Sequence, residues 1–133
     1  MNSTEPKQLV EAYIEAYNRF DVAGMLVPLH DEVVFQNIAD GANIADGAVN
    51  LTTNGKESFR QQAEQVLPFF SQREQRVTDW QVTDGQVEVA IDYTGVAAIP
   101  FPNGLKPGDT LRLQGKSVFR FADGQIISIQ DIS

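Results

Sequence analysis

The chain has 133 residues, 42% hydrophobic and 21% charged, with a formal net charge of −8, one histidine and no cysteine. That size and balance fit one soluble domain with its own core. The acidic excess argues against nucleic acid and anionic membrane surfaces as partners, and the residue counts exclude disulfides, thiolate chemistry and a histidine-rich metal site. No apolar run approaches the roughly 18–20 residues of a membrane span. The opening MNSTEPKQ lacks the basic flank and apolar core of a signal peptide, so a cytoplasmic location is expected.

Residues 5–20 read as an amphipathic helix. Leu9, Val10, Tyr13, Ile14, Tyr17 and Phe20 recur at helical spacing, and Glu11, Glu15 and Arg19 take the wet side. Thr4 can cap it, with Pro6 in the first turn. Asp21 then caps a short second helix carrying Val22, Met25, Leu26 and Leu29, which Pro28 limits. Val33–Gln36 reads as a short strand. Residues 38–54 contain Ile38-Ala39-Asp40-Gly41-Ala42 and its copy Ile44-Ala45-Asp46-Gly47-Ala48. They read as a variable loop, either an insertion of no consequence or a flap over a pocket mouth. Residues 56–70 form a third helix through Phe59, Ala63, Val66, Leu67 and Phe70, with Pro68 in its last turn. Strands follow at about 74–83, 86–98, 110–121 and 125–132, with hairpin turns at Asp84-Gly85 and Asp123-Gly124. Helices first and strands afterwards give an α+β fold, with three helices covering one face of a curved antiparallel sheet. No linker divides residues 1–133.

Strand alternation places Phe119 and Phe121 on one face with Leu113, Gly115 and Ser117, and Val118 and Arg120 on the other. In the last strand Ile127, Ile129 and Asp131 share a face. Four further segments bear on identity: Tyr13-Ile14-Glu15-Ala16-Tyr17-Asn18-Arg19-Phe20-Asp21, Leu29-His30-Asp31-Glu32-Val33-Val34-Phe35, Asn54-Gly55-Lys56-Glu57-Ser58-Phe59, and the proline-rich loop before Gly108. In order and spacing, these and the Lys116–Ile127 hairpin resemble the nuclear transport factor 2-like superfamily. The nearest branch is the SnoaL-like one, which is similar to polyketide cyclases and ketosteroid isomerases. The resemblance implies a cone-shaped sheet around an apolar pocket. It also implies a homodimer through the sheet's outer face, where Arg112, Gln114, Lys116, Val118 and Arg120 lie.

Ketosteroid isomerases use an Asp base, a Tyr donor and a protonated Asp donor. By the resemblance these fall on Asn37, Tyr13 and Ser117. Asn37 takes no proton at neutral pH and Ser117 is a poor acid, so both family carboxylates are missing. Asp131 is the carboxylate left near the pocket, where burial would raise its pKa; the alternative is a hydrated chain end. The candidate catalytic set is Asp131, Tyr13 and Asn37. The candidate ligand-binding set is Tyr13, Tyr17, Phe35, Asn37, Trp80, Ser117, Phe119 and Ile129. For Tyr13, Tyr17 and Trp80 the competing role is core packing, and for Asn37 it is turn chemistry with Asp40. His30 reads as a cap of the junction before the first strand. Asp40 and Asp46 supply too few ligands for calcium, so neither metal nor cofactor is expected. The expected function is binding of a small apolar or aromatic molecule. The alternatives are an isomerase, cyclase or dehydratase working with one carboxylate, and a protein-interaction module.

Overall fold

The structure is a computed structural model and describes residues 4–38, 51–101 and 104–132. Helix α1 spans Thr4–Asn18 and buries Val10, Tyr13, Ile14 and Ala16, the face set by helical period. Asp21 caps α2 (Val22–Leu26), its side chain accepting from Gly24 N at 3.0 Å. A Cβ at Gly24 would lie 2.5 Å from the other oxygen of that carboxylate, so a larger residue there would push the capping side chain aside. Helix α3 spans Lys56–Val66 and runs into a 3-10 turn, Leu67–Phe69. The sequence puts helix through residue 70; Pro68, which lacks an N–H, instead ends it early.

Six strands form one sheet: β1 (Leu29–Ile38), β2 (Leu51–Asn54), β3 (Phe70–Thr83), β4 (Gln86–Ala97), β5 (Thr110–Ala122) and β6 (Gln125–Ile132). Their order is β2-β1-β6-β5-β4-β3. The α+β architecture with helices on a curved sheet is as expected from sequence, with one difference in direction. Strand β1 runs parallel to β6, so the sheet is mixed rather than wholly antiparallel. Strand β1 is also longer than residues 33–36, because β6 on one side and β2 on the other extend its ladder. Strand β2 occupies the end of the segment read as loop. Of the variable loop or flap expected over 38–54, residues 39–50 lie outside the described residues. At the last hairpin both Asp123 (φ 56°) and Gly124 (φ 74°) adopt positive φ, as the turn requires. His30 belongs to β1 and meets Asp123 at 3.2 Å through Nε2, fastening the start of β1 to that turn.

The inner face of the sheet carries an unbroken apolar row, Phe35–Ile129–Phe119–Val87, aligned by pairing across four strands. Ile129, Phe119 and Val87 are fully buried under α1 and α3. Each such side chain contributes about 1.5–3 kcal/mol by leaving water. A bulge between Arg120 and Phe121 shifts the β5–β6 register, so Ile126 rather than Ile127 enters the core. On the outer face Val118 is buried, in a row with Gln130, which donates to Gln36 at 2.9 Å. That face is therefore polar over this row. Among the described residues no helix is long and apolar enough to cross a membrane.

Candidate functional site

A cavity of about 330 Å³ opens between α1, α3 and the inner face of the sheet. Its volume suits a small organic molecule. Two residues beyond the apolar row, alternation brings the next inward side chains into line: Asn37 of β1, Asp131 of β6 and Ser117 of β5. All three line the cavity. Ser117 Oγ donates to Asp131 Oδ1 at 2.6 Å. Asp131 is half-buried, and desolvation dominates its chemistry. Burial raises its pKa from 3.8 to about 6, and the Ser117 hydrogen bond opposes the shift without cancelling it. Asp131 is thus held within a strand at the cavity wall and not at a frayed end.

Tyr13 projects from α1 toward the same region. Its ring meets Phe119 edge-on at 5.8 Å and Phe59 at 6.2 Å. Burial first, and then the Asp131 charge, raise its pKa well above the ordinary tyrosine value, so it stays a donor at any physiological pH. Its hydroxyl has no hydrogen-bond partner among the described residues, although the ring is buried and lines the cavity. A carboxyl that titrates near neutrality beside an unengaged phenol can hold and return a proton while orienting a ligand oxygen.

At the other end Tyr17 donates its hydroxyl to that of Tyr93 at 3.0 Å. Burial raises the pKa of both. Arg73 of β3 also lines this end, its guanidinium stacked on Tyr17. Among the described residues the cavity is bordered by one carboxylate, Asp131, and two cations, Arg73 and Lys116. No three metal-binding side chains gather among those residues.

Of the sequence-derived candidates, Tyr13, Tyr17, Phe35, Asn37, Ser117 and Asp131 border one cavity. Phe119 and Ile129 lie outside its lining, fully buried in the row beneath. Trp80 also lies outside it, on the far side of Val89 in the register, with the Lys7 ammonium 4.9 Å above its ring. Sequence reasoning missed Arg73 and Tyr93. Arg73, Gln75 and Val77 pair opposite Gly95, Tyr93 and Ile91, but Trp80 and Val82 pair opposite Val89 and Val87. A bulge between Val77 and Asp79 switches the parity. Counting back from Trp80 therefore puts Arg73 on the wrong face. Tyr93 sits in the regular β4 alternation and could have been found from it.

A model of the SnoaL-like domain matches residues 10–129 of the chain. No curated protein matches the sequence. Among solved structures, a proposed polyketide cyclase from Xanthomonas campestris pv. campestris superposes with a TM-score of 0.79 at 24% identity, over 100% of this chain and 93% of its own. A proposed SnoaL-like polyketide cyclase from a Jannaschia species gives 0.75 at 17%, over 97% and 85%. An LEH-like epoxide hydrolase from M. tuberculosis gives 0.74 at 17%, over 98% and 83%. At these identities the superpositions establish a shared fold.

Proposed function

The chain belongs to the SnoaL-like domain family, and on that premise we propose that it takes up a small, largely apolar or aromatic molecule in the cavity beneath α1. The observation that carries this is the pairing of an aromatic wall (Tyr13, Tyr17, Phe35, Phe59) with polar groups confined to a few positions. Tyr13 and Asn37 would hydrogen-bond the ligand's oxygen. A thermal-shift panel of steroids, polyketide-like aromatics, terpenoids and fatty acids tests it. A ligand that binds only the folded state adds about 2.7 kcal/mol at a hundredfold excess over Kd. No shift with any class, at concentrations that saturate the cavity of a related cyclase, would count against a binding cavity. Pairing of two copies through the sheet's outer face and a cytoplasmic location complete the proposal. Light scattering tests the first and cell fractionation the second.

Asp131 favours a second reading, in which the cavity is an active site of isomerase, cyclase or dehydratase type. Asp131 would take a proton from a carbon acid or give one to a leaving oxygen, and Tyr13 and Asn37 would donate to the developing oxyanion. The positions where the resemblance places family carboxylates hold Asn37 and Ser117, which leaves Asp131 as the sole acid of the set. Turnover that titrates near pH 6 and vanishes in Asp131→Asn supports catalysis. Turnover surviving that substitution removes Asp131 from it.

A further inference from the structure

Arg73 is buried, with 6% of its surface exposed. Its guanidinium carbon lies 3.7 Å from the Tyr17 ring centroid and 4.5 Å from that of Phe20. Nε donates at 3.0 Å to the Tyr17 carbonyl, which also accepts from Phe20 N at 3.1 Å at the C-terminal end of α1. None of the ion pairs among the described residues includes Arg73. Its two terminal NH2 groups have no acceptor among those residues, and the side chain borders the cavity.

A guanidinium does not give up its proton in a protein, and a buried cation without a counter-ion is costly. Stacking on aromatic faces offsets only part of that. What remains is a flat fork of N–H donors, the geometry that matches an oxyanion. Asp131 is not its partner. Along β5 the Asp131–Ser117 register and the Arg73–Gly95–Leu111 register are six residues apart, roughly 20 Å at strand rise. Beside Arg73 the wall is aromatic: Phe70 packs at 6.0 Å from Tyr93. A Cβ at Gly95 would come within 2.8 Å of the Phe70 ring, so the ring lies flush on the sheet there. Lys116, the other bordering cation, is exposed and alternates to the opposite face of β5 from Ser117.

We propose that Arg73 is a ligand-binding residue and that the cavity takes a flat aromatic molecule carrying a carboxylate or comparable oxyanion. The anion sits on the free edge of Arg73, and the apolar body lies along Tyr17 and Tyr93 toward Tyr13. The proposal rests on the cavity being a small-molecule site and names the class of molecule. With a net charge of −8 the protein's overall field repels anions, so any preference for one must come from a local cation.

The test uses two fluorescent probes of one skeleton, 8-anilinonaphthalene-1-sulfonate and its uncharged counterpart N-phenyl-1-naphthylamine, titrated against the folded protein. The sulfonate is expected to bind about tenfold tighter or better, as a charge-assisted hydrogen bond implies. Arg73→Met is expected to abolish that preference while leaving the neutral probe's affinity within about threefold. Arg73→Lys, which keeps the charge and loses the fork, is expected to fall between. Circular dichroism confirms each variant's fold, and if Arg73→Met does not fold, the wild-type ratio and Arg73→Lys decide. Equal affinity of the wild type for both probes, or equal loss of both in the variants, overturns the role of Arg73 and leaves the cavity standing. Binding of neither probe overturns the cavity and the proposal together.

Discussion

At one end of the cavity Asp131 keeps its proton up to about pH 6, because burial makes its charged form expensive. At the other end the Arg73 guanidinium rests on two aromatic faces and one helix carbonyl. The same physical cost, a charge removed from water, is met by titration in one place and by stacking in the other. The difference separates two kinds of site. A group that titrates near neutrality is suited to moving protons. A permanently charged fork is suited to holding an anion. Only the Asp131 end adjoins the Phe35–Ile129–Phe119–Val87 row, two residues away, whereas Arg73 lies eight residues along β5 from it, beside Tyr17, Phe70 and Tyr93.

The largest expected effect lies in that apolar row beside the titrating end. Phe119→Ala should cost about 3–5 kcal/mol in urea unfolding, since the residue is fully buried beneath Tyr13. A loss under about 1 kcal/mol would mean that this row does not anchor the wall beneath Asp131.

Asp131→Asn comes next and addresses the titrating end alone. The folded-state pKa of about 6 lies above the ordinary 3.8, so the folded protein holds this proton more tightly than the unfolded chain. The resulting stability is present in full below about 3.8 and is lost as pH rises through about 6. The swing is on the order of 3 kcal/mol at most. The Asn variant should therefore be more stable than wild type at pH 8, by about 1–3 kcal/mol, and equal to it near pH 4. Thermal melts of both proteins across that range measure it, and parallel curves would show that Asp131 is not desolvated.

Tyr13→Phe sharpens the comparison further. The hydroxyl has no described protein partner, so the melting temperature should barely move. Affinity for an oxygen-bearing ligand should fall by about 1 kcal/mol, roughly fivefold, in a binding titration. A large loss of stability with unchanged affinity would make Tyr13 a core residue. The smallest effect is expected outside the cavity. Arg76 and Asp92 pair at 3.0 Å on the sheet's outer side, and Arg76→Ala should change stability by no more than about 0.5–1 kcal/mol because water screens the pair. A greater loss, measured by urea unfolding, would show that charges outside the cavity matter as much as those within it.

What the sequence determined by itself is local. The period of Val10, Tyr13, Ile14 and Tyr17 makes α1 and turns its tyrosines inward. Asp123-Gly124 makes the last hairpin, and alternation along β5 sets Ser117 and Phe119 on one face. Each depends on residues a few positions apart, whose geometry the backbone fixes. Tertiary structure alone decided the rest. Asn37, Asp131 and Ser117 stand side by side because β1 pairs parallel with β6 and β6 pairs antiparallel with β5 in one register. Arg73 faces the cavity, and Ile126 the core, because bulges near Val77 and Phe121 slip the ladder by one residue. Alternation tells which side chains share a face within an unbroken strand. It does not tell which strand lies alongside or where the ladder slips, because those follow from hydrogen bonds between residues far apart in the chain.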